Sequence, residues 1–135
     1  MRVDVSFDTS VLLYTLSDDA LKSGIVRRLL AEGGCISVQV LNEFVSVTRR
    51  KLRMDWDEIG RALGALREFC DAPRSISLGT HELGLALAQR YGYRIYDSLI
   101  LAAAIEAGCS TLYSEDMQHG HTIGVLTIRN PFLAN

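Results

Sequence analysis

The chain has 135 residues, 48% of them apolar and 22% charged, which is the composition of a globular domain long enough to bury a core. Its formal net charge of −2 neither demands nor excludes a nucleic-acid partner, because the local field matters more than the total. No apolar run is long enough to span a bilayer and no signal-peptide pattern opens the chain, so a membrane role is excluded and a cytoplasmic location is expected.

In chain order, Val3, Val5 and Phe7 alternate with Asp4 and Ser6, a period of two that suits a strand. Asp8 follows at the carboxyl end of that strand, and Thr9 and Ser10 are placed to cap the helix that Val11 begins. In an open α/β sheet, chemistry collects just beyond the carboxyl ends of strands, so Asp8 stands where a site would be. The same carboxylate also suits a plain helix cap. Residues 18–30 read as a helix with Leu21, Ile25, Val26, Leu29 and Leu30 on one face, capped by Asp18 or Asp19 and ended by Gly33 and Gly34. Residues 35–38 form a short apolar run, a buried strand by this reading.

A second helix is expected from about residue 39, with Leu41, Phe44, Val45, Thr48 and Leu52 at helical spacing. It carries Glu43 near its start, where an unpaired carboxylate would be costly to bury. It closes in Arg49, Arg50, Lys51 and Arg53, a run that suits the helix macrodipole and also a phosphate-contacting patch. Asp55, Asp57 and Glu58 open a third helix, in which Trp56, Ile59, Leu63, Leu66 and Phe69 recur at three and four. Residues 75–78 alternate and predict a strand; Thr80 then predicts the cap of a helix over 81–91, stopped by Gly92.

Residues 96–108 are apolar nearly all round and rich in alanine, the pattern of a helix buried on several sides. Asp97 lies in its first turn, where the dipole favours a negative charge. Residues 111–113 predict a strand followed by Ser114, Glu115 and Asp116, so a second strand end carries carboxylates like the first. Residues 126–128 predict the last strand. Strands alternating with helices at this rate imply βαβ units and a mainly parallel sheet. The three cysteines, Cys35, Cys70 and Cys109, have no metal-type spacing and read as small buried hydrophobes kept reduced. His119 and His121 make an H-x-H without a partner set, and His81 reads as an exposed helix-start residue.

Asp8, Glu43, Asp97 and Asp116 therefore fall at comparable points, which a parallel sheet would bring to one edge. Four carboxylates close together raise one another's pKa values unless a cation sits among them. An all-oxygen set suits Mg²⁺ or Mn²⁺, and such an ion is the apparatus of phosphodiester hydrolysis.

The segments FDTSVLLY, VLNEF, YDSLILAAA and LYSEDMQHG, with the closing LTIRNPF, resemble the PIN-domain ribonucleases, specifically the VapC-type toxins of prokaryotic toxin–antitoxin pairs. The resemblance covers nearly the whole chain, residues 1–135, as a single nuclease domain. It implies a three-layer α/β/α sandwich with a mostly parallel sheet of about five strands. It implies that Asp8, Asp97 and Asp116 hold one or two Mg²⁺ or Mn²⁺ ions, that Glu43 completes the set, and that Ser10 and Ser114 support it by hydrogen bonds. Glu115 competes with Asp116 for the fourth position, and Asp116 matches the family's pattern. An RNA substrate, a cognate antitoxin whose tail brings an arginine to the carboxylates, and a homodimer are also implied. Trp56, Leu63 and Leu66 offer one dimer face, or part of the core. Two alternatives stand beside this reading. A phosphoryl-transfer domain of the receiver or aspartyl-phosphatase type also places an Asp after its first strand, though lysine occurs only at positions 22 and 51. A non-catalytic binding module would keep the fold alone.

Overall fold

The computed structural model describes residues 4–70 and 72–133. Strand β1 (Val5–Phe7) is buried at every residue, so both faces of the sheet are covered there, as a parallel sheet requires. Val3, expected to start this strand, lies outside the described residues. A four-residue helix α1 (Thr9–Leu12) follows and tightens into a 3-10 turn, Leu13–Leu16. Helix α2 (Ala20–Ala31) is capped by Asp19, and it buries Val26 and Leu30. Leu21, expected on the same face, is instead 75% exposed, because it lies in the first turn before the helix meets the core.

Helix α3 (Val38–Arg50) is capped by the Ser37 hydroxyl, and α4 (Trp56–Phe69) by Asp55, which forms a reciprocal capping box with Glu58. Helix α5 spans Leu78–Tyr91 and starts earlier than its sequence pattern predicts. Ser77 is the cap, and Thr80 is the third residue of a capping box whose hydroxyl faces back to the Ser77 amide. Gly92, at φ 80°, supplies the left-handed residue that ends the helix as expected. Helix α6 (Ile95–Glu106) buries seven consecutive residues, Ser98–Ala104, and its chief packing partner is α5. Strand β2 (Thr111–Tyr113) falls where the sequence predicts it. Strand β3 (Thr122–Ile123) was not apparent in the sequence; it forms a hairpin with β4 (Leu126–Arg129).

Among the described residues the sheet has four strands in the order β1-β2-β4-β3, with β1, β2 and β4 parallel and β3 antiparallel. The expected strands at residues 35–38 and 75–78 do not form as such. Residues 34–37 run beside the outer edge of β1 with single bridges, Ser6 to Cys35 and Ser37 to Arg74 among them. Cys35 N donates to Val5 O at 2.9 Å, and Arg74 N donates to Ile36 O at 2.8 Å. The approach is so close that a Cβ on Gly34 would meet the Phe7 ring at 2.7 Å. The sheet is thus extended past β1 by two irregular stretches, which accounts for the difference from about five strands. The three cysteines are buried, as the sequence predicts, and Cys35 Sγ lies 3.3 Å from Cys109 Sγ. Among the described residues no helix is long and apolar enough to cross a membrane. The proposed face of Trp56, Leu63 and Leu66 is divided: Leu66 is core and Trp56 is 61% exposed.

Candidate active site

The parallel ladder brings the two acidic strand ends together. Asp8 N donates to Tyr113 O at 2.9 Å, which carries the β1–β2 pairing one residue past β1 and sets Asp8 beside Ser114. Asp8, rather than Thr9 or Ser10, is the cap of α1, its Oδ1 accepting from Thr9 N at 2.8 Å. The cap reading and the site reading therefore describe one carboxylate. Its other oxygen, Oδ2, accepts from Ser10 Oγ at 2.9 Å and from Ser114 Oγ at 2.7 Å. Each hydroxyl also accepts from the following loop, Ser10 from Glu115 N and Ser114 from Met117 N, both at 3.1 Å. The two serines thus fix the carboxylate and the loop that carries Asp116 at once.

Asp8 is almost fully buried. Burial pushes its pKa up to about 6; the Ser114 and Ser10 hydrogen bonds oppose that, and the charges of Asp97 and Asp116 add to it. Asp97 lies in the first turn of α6, half-buried. Its pKa is also raised, first by burial, against the pull of Arg94 and with the push of Glu43 and Asp116. Among the described residues the cation paired with it is Arg94, whose Nε stands 3.9 Å away on a side chain 87% exposed, a weak compensation. Glu43 accepts from Thr9 Oγ1 at 3.2 Å and from Gln39 Nε2 at 2.9 Å. Asp116 is exposed on the loop after β2. All four carboxylates of the sequence reading are therefore linked, by mutual charge or through the α1 hydrogen bonds.

Thr9 and Gln39 were missed. Gln39 precedes Glu43 by four residues on α3, a spacing that signals a side-chain pair, whereas nothing local links Thr9 to Glu43. Glu115 turns away from the cluster. Its carboxylate accepts from Tyr14 Oη at 2.6 Å and pairs with Lys22 Nζ at 2.7 Å. The H-x-H histidines are also occupied: His119 Nδ1 accepts from Asn130 N, and His121 Nδ1 meets Tyr93 Oη at 2.7 Å.

Among the described residues no three His, Cys, Asp or Glu side chains converge tightly enough to enclose a metal ion. The cluster nonetheless fits a hard divalent cation. Its donors are all carboxylate oxygens, the charges of its neighbours add to the raised pKa values of Asp8 and Asp97, and Mg²⁺ binds through one or two carboxylates while keeping several waters. Chemically, the arrangement offers a negative, partly desolvated site with one carboxylate rigidly held and another on an exposed loop.

Comparison with known proteins adds the relationship. The chain resembles the crystal structure of VapC20 of Mycobacterium tuberculosis, described as a sarcin–ricin loop cleaving toxin, with TM-score 0.66 and 18% identity over 83% of this chain and 89% of that one. A toxin–antitoxin complex from Klebsiella pneumoniae matches with TM-score 0.68 and 23% identity over 95% and 98%. VapBC2 of Rickettsia felis, bound to a DNA fragment from its promoter, matches with TM-score 0.65 and 19% identity over 93% and 96%. These likenesses establish the fold. Among curated protein sequences, none matches the chain. The PIN-domain family model matches residues 5–122, a span that holds Asp8, Glu43, Asp97 and Asp116 together, and the chain belongs to the PIN-domain family.

Proposed function

We propose that this chain is a metal-dependent endoribonuclease and the toxin component of a type II toxin–antitoxin pair. The observation that carries the proposal is the weakly compensated carboxylate cluster at the carboxyl end of the parallel strands, with Asp8 buried at its base and held at a pKa of about 6. Asp8, Asp97 and Asp116 would hold Mg²⁺ or Mn²⁺, with Glu43 completing the set. When bound, such an ion lowers the pKa of water in its shell and offsets charge on the scissile phosphate. The chain's own residues prepare this. Ser10 and Ser114 fix the rotamer of Asp8, Thr9 and Gln39 fix Glu43, and the α6 dipole favours the ionised form of Asp97. Neither serine is placed as a nucleophile, since each hydroxyl is engaged on both sides.

The toxin assignment is supported by family membership and by the toxin–antitoxin descriptions of the structural neighbours. It brings with it a cognate antitoxin, a homodimer and a cytoplasmic location for this chain, read as one nuclease domain over residues 1–135. An arginine from the antitoxin tail would pair with two carboxylate oxygens and compete with the metal, so partner affinity would fall as Mg²⁺ rises. The phosphoryl-transfer alternative is weakened: it needs a lysine at the site, and Lys22 is committed to Glu115.

The test is cleavage of an RNA mixture by purified protein in Mg²⁺, in chelator, and with Asp97→Asn. Cleavage only by the wild type with metal is the expected result. Wild-type protein inert in both Mg²⁺ and Mn²⁺, or Asp97→Asn as active as the wild type, would overturn the reading.

A further inference from the structure

Helix α3 presents a stripe from its acidic start to its basic end. Glu43, Ser46 or Val47, and Arg50 are spaced by three and four, so they share one face, and seven residues separate acid from cation by about 10 Å. Across from this stripe stands the start of α6, with Arg94, Tyr96 and Asp97. Between them lies a groove of about 420 Å³ lined by Glu43, Val47, Arg50, Arg94, Tyr96 and Asp97. A second groove, of about 410 Å³, begins on the other side of Val47 and is lined by Ser10, Lys51 and Asp116 among others. The two grooves thus meet at Val47 and contain three of the four carboxylates between them, each with basic residues among its walls.

The basic run at the end of α3 is therefore divided by role. Arg49 faces elsewhere, donating to Met54 O at 3.0 Å and lying over the Trp56 ring at 4.6 Å. Arg50 and Lys51 are the members that reach the grooves. Tyr96 is 62% exposed, an unusual position for a large aromatic ring in the first turn of an otherwise buried helix. An exposed aromatic flanked by guanidinium groups is the equipment that binds an unpaired base and its phosphate.

We infer that the groove between α3 and the start of α6 seats one nucleotide of a single-stranded RNA beside the scissile bond, with Arg50 and Arg94 on its phosphate and Tyr96 against its base. This rests on the ribonuclease reading and adds to it the residues that choose an unpaired strand. The groove around Lys51 and Asp116 takes the strand on the other side of the cut, so the chain runs through the site. A duplex cannot offer Tyr96 an unstacked base, and so is a poor ligand for this groove.

The test is fluorescence anisotropy with a labelled single-stranded RNA decamer of mixed sequence, using Asp8→Asn protein in Mg²⁺ so that binding is read without turnover. Adding Tyr96→Ala should weaken binding roughly 5- to 150-fold, while Tyr96→Phe keeps the ring and restores it. Arg50→Gln should lower the slope of log affinity against log salt by about 0.7, the single-strand value for one phosphate contact. Arg94→Gln should do the same, but it also removes the cation nearest Asp97, so Arg50→Gln is the cleaner arm. A labelled RNA duplex should show no effect of Tyr96→Ala. Unchanged affinity in Tyr96→Ala, an unchanged salt slope in Arg50→Gln, or equal losses on single strand and duplex would overturn the inference. Wild-type cleavage of the RNA mixture, run in parallel, separates the two proposals. Active wild type with binding indifferent to Tyr96 and Arg50 removes the groove alone; inactive wild type with groove-dependent binding upholds the groove and removes the nuclease reading.

Discussion

Glu115 and Asp8 lie one serine apart in space and in opposite electrostatic surroundings. Ser10 links them, donating to Asp8 and accepting from the Glu115 amide. Burial pushes the Glu115 carboxyl up, but hydrogen bonds from Lys22 and Tyr14 more than offset it, and its pKa lies below the ordinary value. At Asp8 the hydrogen bonds come from hydroxyls and an amide, and burial pushes the pKa up to about 6. The difference is a cation: Lys22 sits against Glu115, over the Tyr14 and Phe132 rings at 4.8 and 4.9 Å, and among the described residues no lysine or arginine is paired with Asp8. A fold that pairs Glu115 with a lysine and gives Asp97 only the distant, exposed Arg94 suits a cation supplied from outside at the second set.

The comparison is broken most severely by removing charge from the unpaired side. Asp97→Asn or Asp8→Asn should lower RNA cleavage by at least about 100-fold, since changing groups that merely orient a metal ligand already costs about 10–100-fold. Single-turnover rates at saturating Mg²⁺ measure it, and circular dichroism should show the fold intact.

Ser114→Ala attacks the support of Asp8. It removes the 2.7 Å hydrogen bond to Oδ2 and leaves the buried Met117 amide without its acceptor. Metal affinity and cleavage should fall roughly 10–100-fold, and stability by about 1–3 kcal/mol. Ser10→Ala, nearer solvent, should do the same more weakly.

A third prediction concerns pH. Folding holds the Asp8 proton more tightly than the unfolded chain does, so the stability from this group is complete below about pH 3.8 and is lost as pH rises through about 6. Metal-free wild type should therefore lose about 2–3 kcal/mol between those values through this one group, apart from the other titrating carboxylates. Asp8→Asn escapes that loss and should melt several degrees above wild type near pH 7.5 without metal. Its advantage should vanish near pH 4. Denaturant unfolding at both pH values, in chelator, reads the effect.

The smallest effect belongs to the paired side. Lys22→Met should lower the melting temperature by only about a degree or two, since the pair is partly exposed to solvent. It should loosen the loop that carries Asp116, and cleavage should fall roughly two- to fivefold. A larger fall in activity than Ser114→Ala produces would reverse the roles assigned to the two regions.

Much of this was legible in the sequence because the signals are local. Alternation marked β1, Gly92 marked the end of α5, and the all-round apolar pattern marked α6 as buried. The gathering of Asp8 and Ser114 followed from parallel strands alone. What escaped depends on distant partners. Residues 34–37 have strand composition but bridge β1 at isolated points, because Gly34 packs directly on the Phe7 ring. Ser77 outcompeted Thr80 as the cap because a capping box uses both hydroxyls, one at each end of the first turn. Glu115 and Asp116 are indistinguishable as neighbours in sequence. They separate only when α2 carries Lys22 to the end of β2, ninety-three positions away along the chain.

Proton release on metal binding tests the central claim most directly. Mn²⁺ or Mg²⁺ is titrated into the protein by calorimetry at about pH 6, in two buffers of different ionisation enthalpy. An uncompensated carboxylate with a pKa of about 6 is roughly half protonated there and must lose that proton to take a cation. The account predicts release of about half a proton per protein at pH 6, little near pH 8, and little in Asp8→Asn at either pH. Heats that do not depend on the buffer at pH 6, or wild-type release that survives in Asp8→Asn, would show that the Asp8 carboxylate is not the group held in reserve for the metal.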